Sequence, residues 1–391
     1  MRRVLIFSLT YFPRYVGGAE VAVKEITDRI DSKDIEFDMV TLRSGNLPFE
    51  RIGNVNIYRV GHASSNGANQ TGQGGKLSFV SKFLYIPLAF LKARALHRNK
   101  KYDVIWPIMA SYAGAAAYLF KRINPKVPCL LTIQEGENFE RRAGMFNSLF
   151  KKIFTCADYI QVISAFLADW SRSMGATCPI EVIANGVDFS HFTNPITPEK
   201  RKEIRNKLGF SDSDKVLVTA SRLVEKNAID DIISSLSLLD KSCKLLILGS
   251  GEKLSELQDL TARLKLTERV VFRGFVPHTE LPSYLQSSEI FIRPSRSEGL
   301  GNSFLEAMAA GIPVIATGVG GITDFLKDGE TGLICEVNNP KSIALKVEKL
   351  SKDRESREYI VGRARELVLN KYGWSDIAGK MQNIFCARLN P

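Results

Sequence analysis

No stretch of about 18 apolar residues occurs in this 391-residue chain, so nothing in it is expected to cross a membrane as a helix. It has no CxxC pair and no histidines at metal-ligand spacing. Its six cysteines (Cys129, Cys156, Cys178, Cys243, Cys335, Cys386) are scattered, which argues against a zinc ribbon or a disulfide scaffold and predicts reduced, mostly buried thiols in a cytoplasmic protein. Histidine is scarce: His191 and His278 fall in loops, His62 and His97 show no partner pattern, and none of the 4 is assigned a role. RRM, KH and helix-turn-helix signatures are lacking, so nucleic-acid binding is not expected. The opening MRRVLIFSLTYFPR imitates a signal peptide. Its apolar run Val4–Leu9 is short, no small-residue cleavage site follows, and Arg14 comes soon after, so a first β-strand is the reading. What remains is an ordinary soluble composition, 45% apolar and 24% charged, of a length suited to two domains.

The net charge of +11 is unevenly shared: residues 1–190 hold 24 basic and 16 acidic side chains, and the remainder 29 and 26. The first half therefore is expected to meet something anionic. Acid is absent from 76–101, where seven bases (Lys76, Lys82, Lys92, Arg94, Arg98, Lys100, Lys101) alternate with aromatic and aliphatic residues. That pattern suits a helix lying on an anionic membrane, with Lys82, Phe83, Phe90, Lys92, Arg94 and Arg98 as candidate membrane or acceptor contacts. It also suits a core helix with a solvated basic end.

Short apolar runs recur throughout, from VLIFSL, FDMVTL and VNIYRV to KVLVTA, KLLILG, IFIRPS and PVIAT. Most are continuous rather than alternating, as in strands buried on both faces of a parallel sheet. Helical patterns at 19–30, 227–239, 252–264 and 303–311 separate them. Such alternation predicts α/β architecture with two doubly wound, Rossmann-like domains. Asn185-Gly186, Pro195 and Pro198 interrupt the pattern, which divides the chain into domains 1–188 and 189–374, with a helix over 375–391 packing back on the first. A cleft between the domains, at the carboxyl ends of the strands, is the expected ligand site.

The stretch RPSRSEGLGNSFLEAMAAGIPVIAT, 293–317, carries most of the chemistry. A strand ends at Arg293–Ser295. Gly299, Leu300 and Gly301 make a tight turn, and Asn302 or Ser303 is expected to cap a helix. Glu306 is expected in its first turn, with Glu298 on the loop before it. Backbone amides there can hold phosphates, one carboxylate can take the hydroxyls of a ribose, and the other those of a sugar. A glutamate near a helix start is also what the helix dipole alone would favour. Upstream, Arg222 and Lys226 follow another strand and suit the charge that develops on a departing diphosphate.

These residues resemble the donor-site signature of family 4 glycosyltransferases (GT4), a retaining group of the GT-B fold written E-x7-E, here Glu298 and Glu306. GGAE at 17–20, IANGVD at 183–188, SRLVEKN at 221–227, GSGE at 249–252, GFVPHTELPSYLQSSEIFIRPS at 274–295 and YGWSD at 372–376 follow in the family's order. The resemblance implies a UDP- or GDP-linked sugar as donor, bound by Gly17, Gly18, Gln134, Arg222, Lys226, Val276, Glu298, Gly299, Leu300, Gly301, Asn302 and Glu306. Catalysis would fall to Arg222, Lys226 and Glu298, with retention by a front-face route and no cofactor or metal. A lipid-linked glycan or glycolipid acceptor, bound by the first domain at the cytoplasmic membrane face, is implied. A soluble sucrose- or glucan-synthase type is the alternative.

The sequence departs from the family in two places, and two of its other motifs are read as structural. Gln134, followed by Glu135 and Glu137, stands where relatives carry a histidine, and it cannot titrate. Asn227 replaces the usual glycine after Lys226, and asparagine tolerates the positive φ of such a turn. SDSD at 211–214 contains a DxD but precedes a strand, where a turn is the better reading. GSG at 249–251 lacks the third glycine of a dinucleotide loop.

Overall fold

The computed structural model describes residues 1–43, 47–61, 79–134 and 147–389. Glu135, Glu137, His62 and Lys76 lie outside them. The chain divides into two units, residues 1–186 with 374–391 and residues 187–373.

In the first unit the strands are β1 (Arg2–Phe7), β2 (Ile35–Leu42), β3 (Phe49–Ile52), β4 (Val55–Val60), β5 (Val104–Pro107), β6 (Leu130–Ile133), β7 (Tyr159–Val162) and β8 (Ile180–Val182). The order is β3-β4-β2-β1-β5 and then β6-β7-β8, with parallel bridges Ile105↔Cys129 and Ile108↔Thr132 linking β5 to the β6 side. All pairs are parallel except β3 with β4. That antiparallel edge strand is absent from the sequence reading, because FERI is short and half-exposed. The helices are α1 (Gly18–Asp28), α2 (Phe79–Lys100), α3 (Tyr112–Ile123), α4 (Asn147–Thr155) and α5 (Ala165–Ser173).

Period-2 alternation sends Val4 and Ile6 to one face of this sheet and Leu5 and Phe7 to the other. Both faces are covered, which is why β1 reads as a continuous apolar run. The first face packs on α1 and on a returning segment, Trp374, Ile377, Met381, Ile384, Phe385 and Leu389. Phe385 meets Trp106 at 5.0 Å and Phe37 at 5.8 Å between ring centres. The second face packs on α2 and α3 through Tyr85, Ala89, Ala93, Ala116 and Phe120.

The second unit holds α6 (Phe189–Thr193), α7 (Pro198–Lys207), β9 (Lys215–Ala220), α8 (Ile229–Leu236), β10 (Cys243–Leu248), α9 (Leu254–Arg263), β11 (Val270–Gly274), α10 (Leu281–Gln286), β12 (Ile290–Arg293), α11 (Asn302–Ala309), β13 (Val314–Thr317), β14 (Leu333–Cys335), α12 (Pro340–Lys352) and α13 (Arg354–Lys371); α14 (Trp374–Asn383) returns to the first unit. Its parallel sheet runs β11-β10-β9-β12-β13-β14. Chain order moves outward from β9 to one edge and then restarts at β12 toward the other. The crevice between β9 and β12 is therefore the topological switch point, where ligands of open α/β sheets bind. The unit's two ends touch: Val187 N–H donates to Tyr372 O at 2.8 Å.

The cysteines are free thiols; Cys129, Cys243 and Cys335 are buried, Cys156 and Cys178 half-buried and Cys386 exposed. Burial pushes the Cys156 and Cys178 thiols up to about 11, as expected of inert side chains.

Candidate active site

Two loops leave the switch point, one after β9 and one after β12, and side chains of the second lace them together. Arg296 N–H donates to Lys226 O at 2.7 Å. The Arg296 guanidinium donates to Glu225 O at 2.6 Å and bridges to Asp230 at 2.8 Å and Asp231 at 3.2 Å. Burial, then the neighbouring Asp230, raises the Asp231 carboxyl even with Arg296 beside it. Buried Asn227 donates to Arg222 O at 2.7 Å and accepts from Arg293 Nη2 at 3.1 Å. The turn expected at Asn227 falls one residue later: Ala228 takes the left-handed conformation, φ 52°. Asn227 instead acts with its side chain, closing the Arg222–Lys226 loop from inside. Arg222 itself is exposed and Lys226 half-buried.

Glu298 is 7% exposed. It pairs with Arg293, its Oε1 lies 3.8 Å from Lys226 Nζ, and the same oxygen accepts from Gly299 N–H at 3.1 Å. Arg293 also donates to Ser303 Oγ at 2.9 Å and lies over the Phe304 ring at 5.0 Å. A carboxylate buried this deeply needs such partners to offset its lost hydration. Arg293 thus organises the site from below. The sequence does not mark it as a site residue, because a strand-end arginine carries no local signal of what it will face.

Helix α11 starts differently from the expectation. Its cap position is Gly301, φ 88°, with no side-chain cap, so neither Asn302 nor Ser303 caps it. A Cβ at Gly301 would also meet the Phe304 ring at 2.6 Å. Because the helix begins at Asn302, Glu306 falls in the second turn rather than the first. There its Oε1 lies 3.1 Å from His278 Nε2, a histidine to which the sequence assigned no role. Val276, half-buried, sits two residues before His278 on the loop after β11. Gly299 and Leu300 are buried, and Asn302 is half-buried.

The GSG loop has a packing explanation. Gly249, φ 140°, comes so close to the β9 loop that a Cβ would stand 1.9 Å from Ser221 O. Leu223 N–H donates to Ser250 O at 3.0 Å. Its glycines thus shape the floor of the switch point. SDSD forms a turn into β9, with Asp214 Oδ2 accepting from Ser211 N–H at 2.7 Å.

In the first unit, Gly17 precedes α1 at the carboxyl end of β1, its N–H donating to Glu20 Oε2 at 3.1 Å; Gly17 and Gly18 are exposed. Gln134 follows β6 and accepts from Asn185 Nδ2 at 3.1 Å. The basic helix divides by face. Phe90 packs toward the core, Phe83 sets its edge against Tyr112 at 5.4 Å, Lys92 lies 4.9 Å over the Tyr58 ring, and Lys82 is half-buried. These four do not form the outward face expected of them. That face is Val80, Leu84, Pro87, Leu91, Arg94 and Arg98, at alternating spacings of four and three. No helix among the described residues is long and apolar enough to cross a membrane.

This architecture is that of the GT-B glycosyltransferases: sucrose-phosphate synthase from Thermosynechococcus elongatus superposes with a TM-score of 0.82 over 98% of each chain, at 19% identity. Residues 200–367 match the family described as glycosyl transferases group 1, and residues 16–191 that described as glycosyltransferase family 4. A GDP-mannose-dependent monoacylated phosphatidylinositol monomannoside mannosyltransferase of Corynebacterium glutamicum is 31% identical over 73% of this chain and 77% of its own. An N-acetyl-α-D-glucosaminyl L-malate synthase of Bacillus anthracis is 26% identical over 97% of this chain and 96% of its own. The chain belongs to family 4 of the glycosyltransferases and is a glycosyltransferase with the GT-B fold.

Proposed function

We propose that this enzyme transfers a hexosyl group, with retention, from a nucleoside-diphosphate sugar to a lipid-linked glycan or glycolipid at the cytoplasmic face of a membrane. The observation that carries the donor reading is the approach of Lys226 to Glu298 across the switch point of one sheet, on loops that also bear Arg222 and lead into the helix of Glu306. Glu306 would take the ribose hydroxyls, the α11 amino terminus and Arg222–Lys226 the diphosphate, and the Glu298 loop the sugar. Cations there gain most as the leaving diphosphate gains charge, so they lower the barrier rather than merely bind substrate.

With Glu298 engaged by Arg293, Lys226 and Gly299, its oxygens are occupied rather than free to attack as a nucleophile. This supports a front-face route in which the leaving phosphate takes the acceptor proton. The cation pair also supports transfer without a divalent metal.

The acceptor reading rests on the outward face of α2, apolar at Val80, Leu84 and Leu91 and cationic at Arg94 and Arg98. The corynebacterial relative's name specifies a glycolipid acceptor. The Bacillus relative's name specifies L-malate, a small water-soluble acid, which favours the soluble-acceptor alternative.

A melting-temperature panel with UDP, GDP, ADP and their sugars tests the donor site, because a ligand bound only to the native state raises Tm. No shift with any of them would reject it. Proton NMR of the anomeric centre in the product tests retention, and an inverted product would reject that part.

A further inference from the structure

The sequence left His278 without a role, and the donor site as described needs a fixed carboxylate at Glu306. The two meet inside the second unit. His278 Nε2 lies 3.1 Å from Glu306 Oε1. An ionised carboxylate only accepts, so the imidazole carries its proton on Nε2. The ring is itself held. It stacks on His191 at 5.5 Å and 27° and meets the Phe192 edge at 5.3 Å and 74°. His191 Nε2 lies 3.1 Å from the His278 carbonyl, which can only accept, so His191 donates there. His191 is fixed in turn by the amino-terminal cap of α6, where Asp188 Oδ1 accepts from its backbone N–H at 3.1 Å.

We propose that His278 is a positioning residue of the donor site: it holds Glu306 in the rotamer that receives the two ribose hydroxyls, and α6 holds His278. With Oε1 bound by the imidazole, the carboxylate cannot swing about its last torsion, and its remaining lone pairs are presented in one direction. A glutamate otherwise loses this freedom when ligand arrives, at the expense of affinity. His278 reaches no donor atom in this scheme; it acts through Glu306.

The inference rests on the donor-site reading, and one set of titrations separates the two. Bind UDP and GDP, and their 2′,3′-dideoxy counterparts, to wild type, Glu306→Ala, His278→Ala and His278→Gln by calorimetry. For whichever nucleotide wild type binds, His278→Ala should weaken affinity about tenfold or more, the usual scale for a hydrogen bond to a charged group. His278→Gln, which can offer an N–H at similar reach, should restore most of it. With the dideoxy nucleotide, which offers Glu306 no hydroxyls, wild type and His278→Ala should bind alike. An equal loss with both nucleotides, or no loss with either, would overturn the role of His278. Full affinity in Glu306→Ala, or no nucleotide binding by wild type, would overturn the donor reading itself. A variant that merely unfolds loses both nucleotides together and so counts against the proposal.

Discussion

Lys226 holds its ammonium 3.8 Å from Glu298 Oε1, although the two side chains come from loops after different strands. The pair spans the crevice between β9 and β12, so the site exists only when both loops are in register. Arg293 sets that register, since it binds Asn227 on one loop, Glu298 on the other and Ser303 at the start of α11.

Arg293→Ala should therefore act on stability as well as on activity. It leaves Glu298 buried with Lys226 as its remaining cationic partner, and breaking a buried ion pair costs about 3–5 kcal/mol. Denaturant unfolding should show that loss. Arg222→Ala should differ: its side chain is exposed, so nucleotide affinity should fall by roughly 1.5–3 kcal/mol with Tm nearly unchanged.

Gly249→Ala places a methyl 1.9 Å from the Ser221 carbonyl oxygen and forces an L-residue into φ 140°. Overpacking of this kind costs about 1–3 kcal/mol. The β9 loop must shift to accommodate it, so nucleotide binding should weaken along with stability. Calorimetry below the unfolding transition separates the two effects.

Turnover should survive EDTA, because Arg222 and Lys226 supply the positive charge that a metal would otherwise bring to the diphosphate. Activity lost in EDTA and restored by Mg²⁺ or Mn²⁺ would contradict this.

If α2 docks on a bilayer, Arg94→Glu with Arg98→Glu should reduce co-sedimentation with vesicles containing acidic lipid. Each cation contributes about 1 kcal/mol at such a surface, and salt weakens it. Leu84→Ser with Leu91→Ser should remove the part that salt leaves. Both double variants should keep nucleotide affinity, because Arg222, Lys226, Glu298 and Glu306 all belong to the second unit. Wild type remaining in the supernatant with both acidic and neutral vesicles would favour a soluble acceptor.

Lys100 bonds Glu36 and the fully buried Asp38, each at 2.7 Å. Although burial opposes it, bonding to Lys100 and then Arg3 keeps the Glu36 carboxyl below its ordinary value. A depressed carboxyl stabilises the fold above its unfolded pKa and stops doing so as pH falls through its folded one. This contribution should thus begin to fall as pH drops below the ordinary glutamate value, about 4.3, and be lost once Glu36 protonates in the folded state. In Lys100→Met the acid limb of a stability profile should flatten, and the plateau at neutral pH should drop.

The strands were legible because parallel strands covered on both faces need unbroken apolar runs, and only FERI, short and half-exposed, escaped that rule. The E-x7-E stretch was legible as a loop feeding a helix. Its fine geometry was not, since a glycine can stand at the cap position without supplying a side chain, which moved Glu306 by one turn. Arg293, Asn227 and His278 act on residues distant in sequence, and no local pattern encodes those partners. In α2 the count of cations was visible, yet which way each one points depends on a sheet that packs beneath it. Phe90 and Lys92 turned inward for that reason.

The helix α14 completes the face of a sheet begun by β1, so the first unit is built from both ends of the described chain. Synthesis proceeds from the amino terminus, and domains fold as they emerge. Residues 187–373 form a continuous segment whose ends touch, so nothing in it waits for later chain, whereas the earlier sheet still lacks one covering layer. Until Trp374–Leu389 leaves the ribosome, Phe37 and Trp106 have no Phe385 to cover them. The nascent first unit thus keeps apolar surface uncovered until the last segment of the described chain arrives.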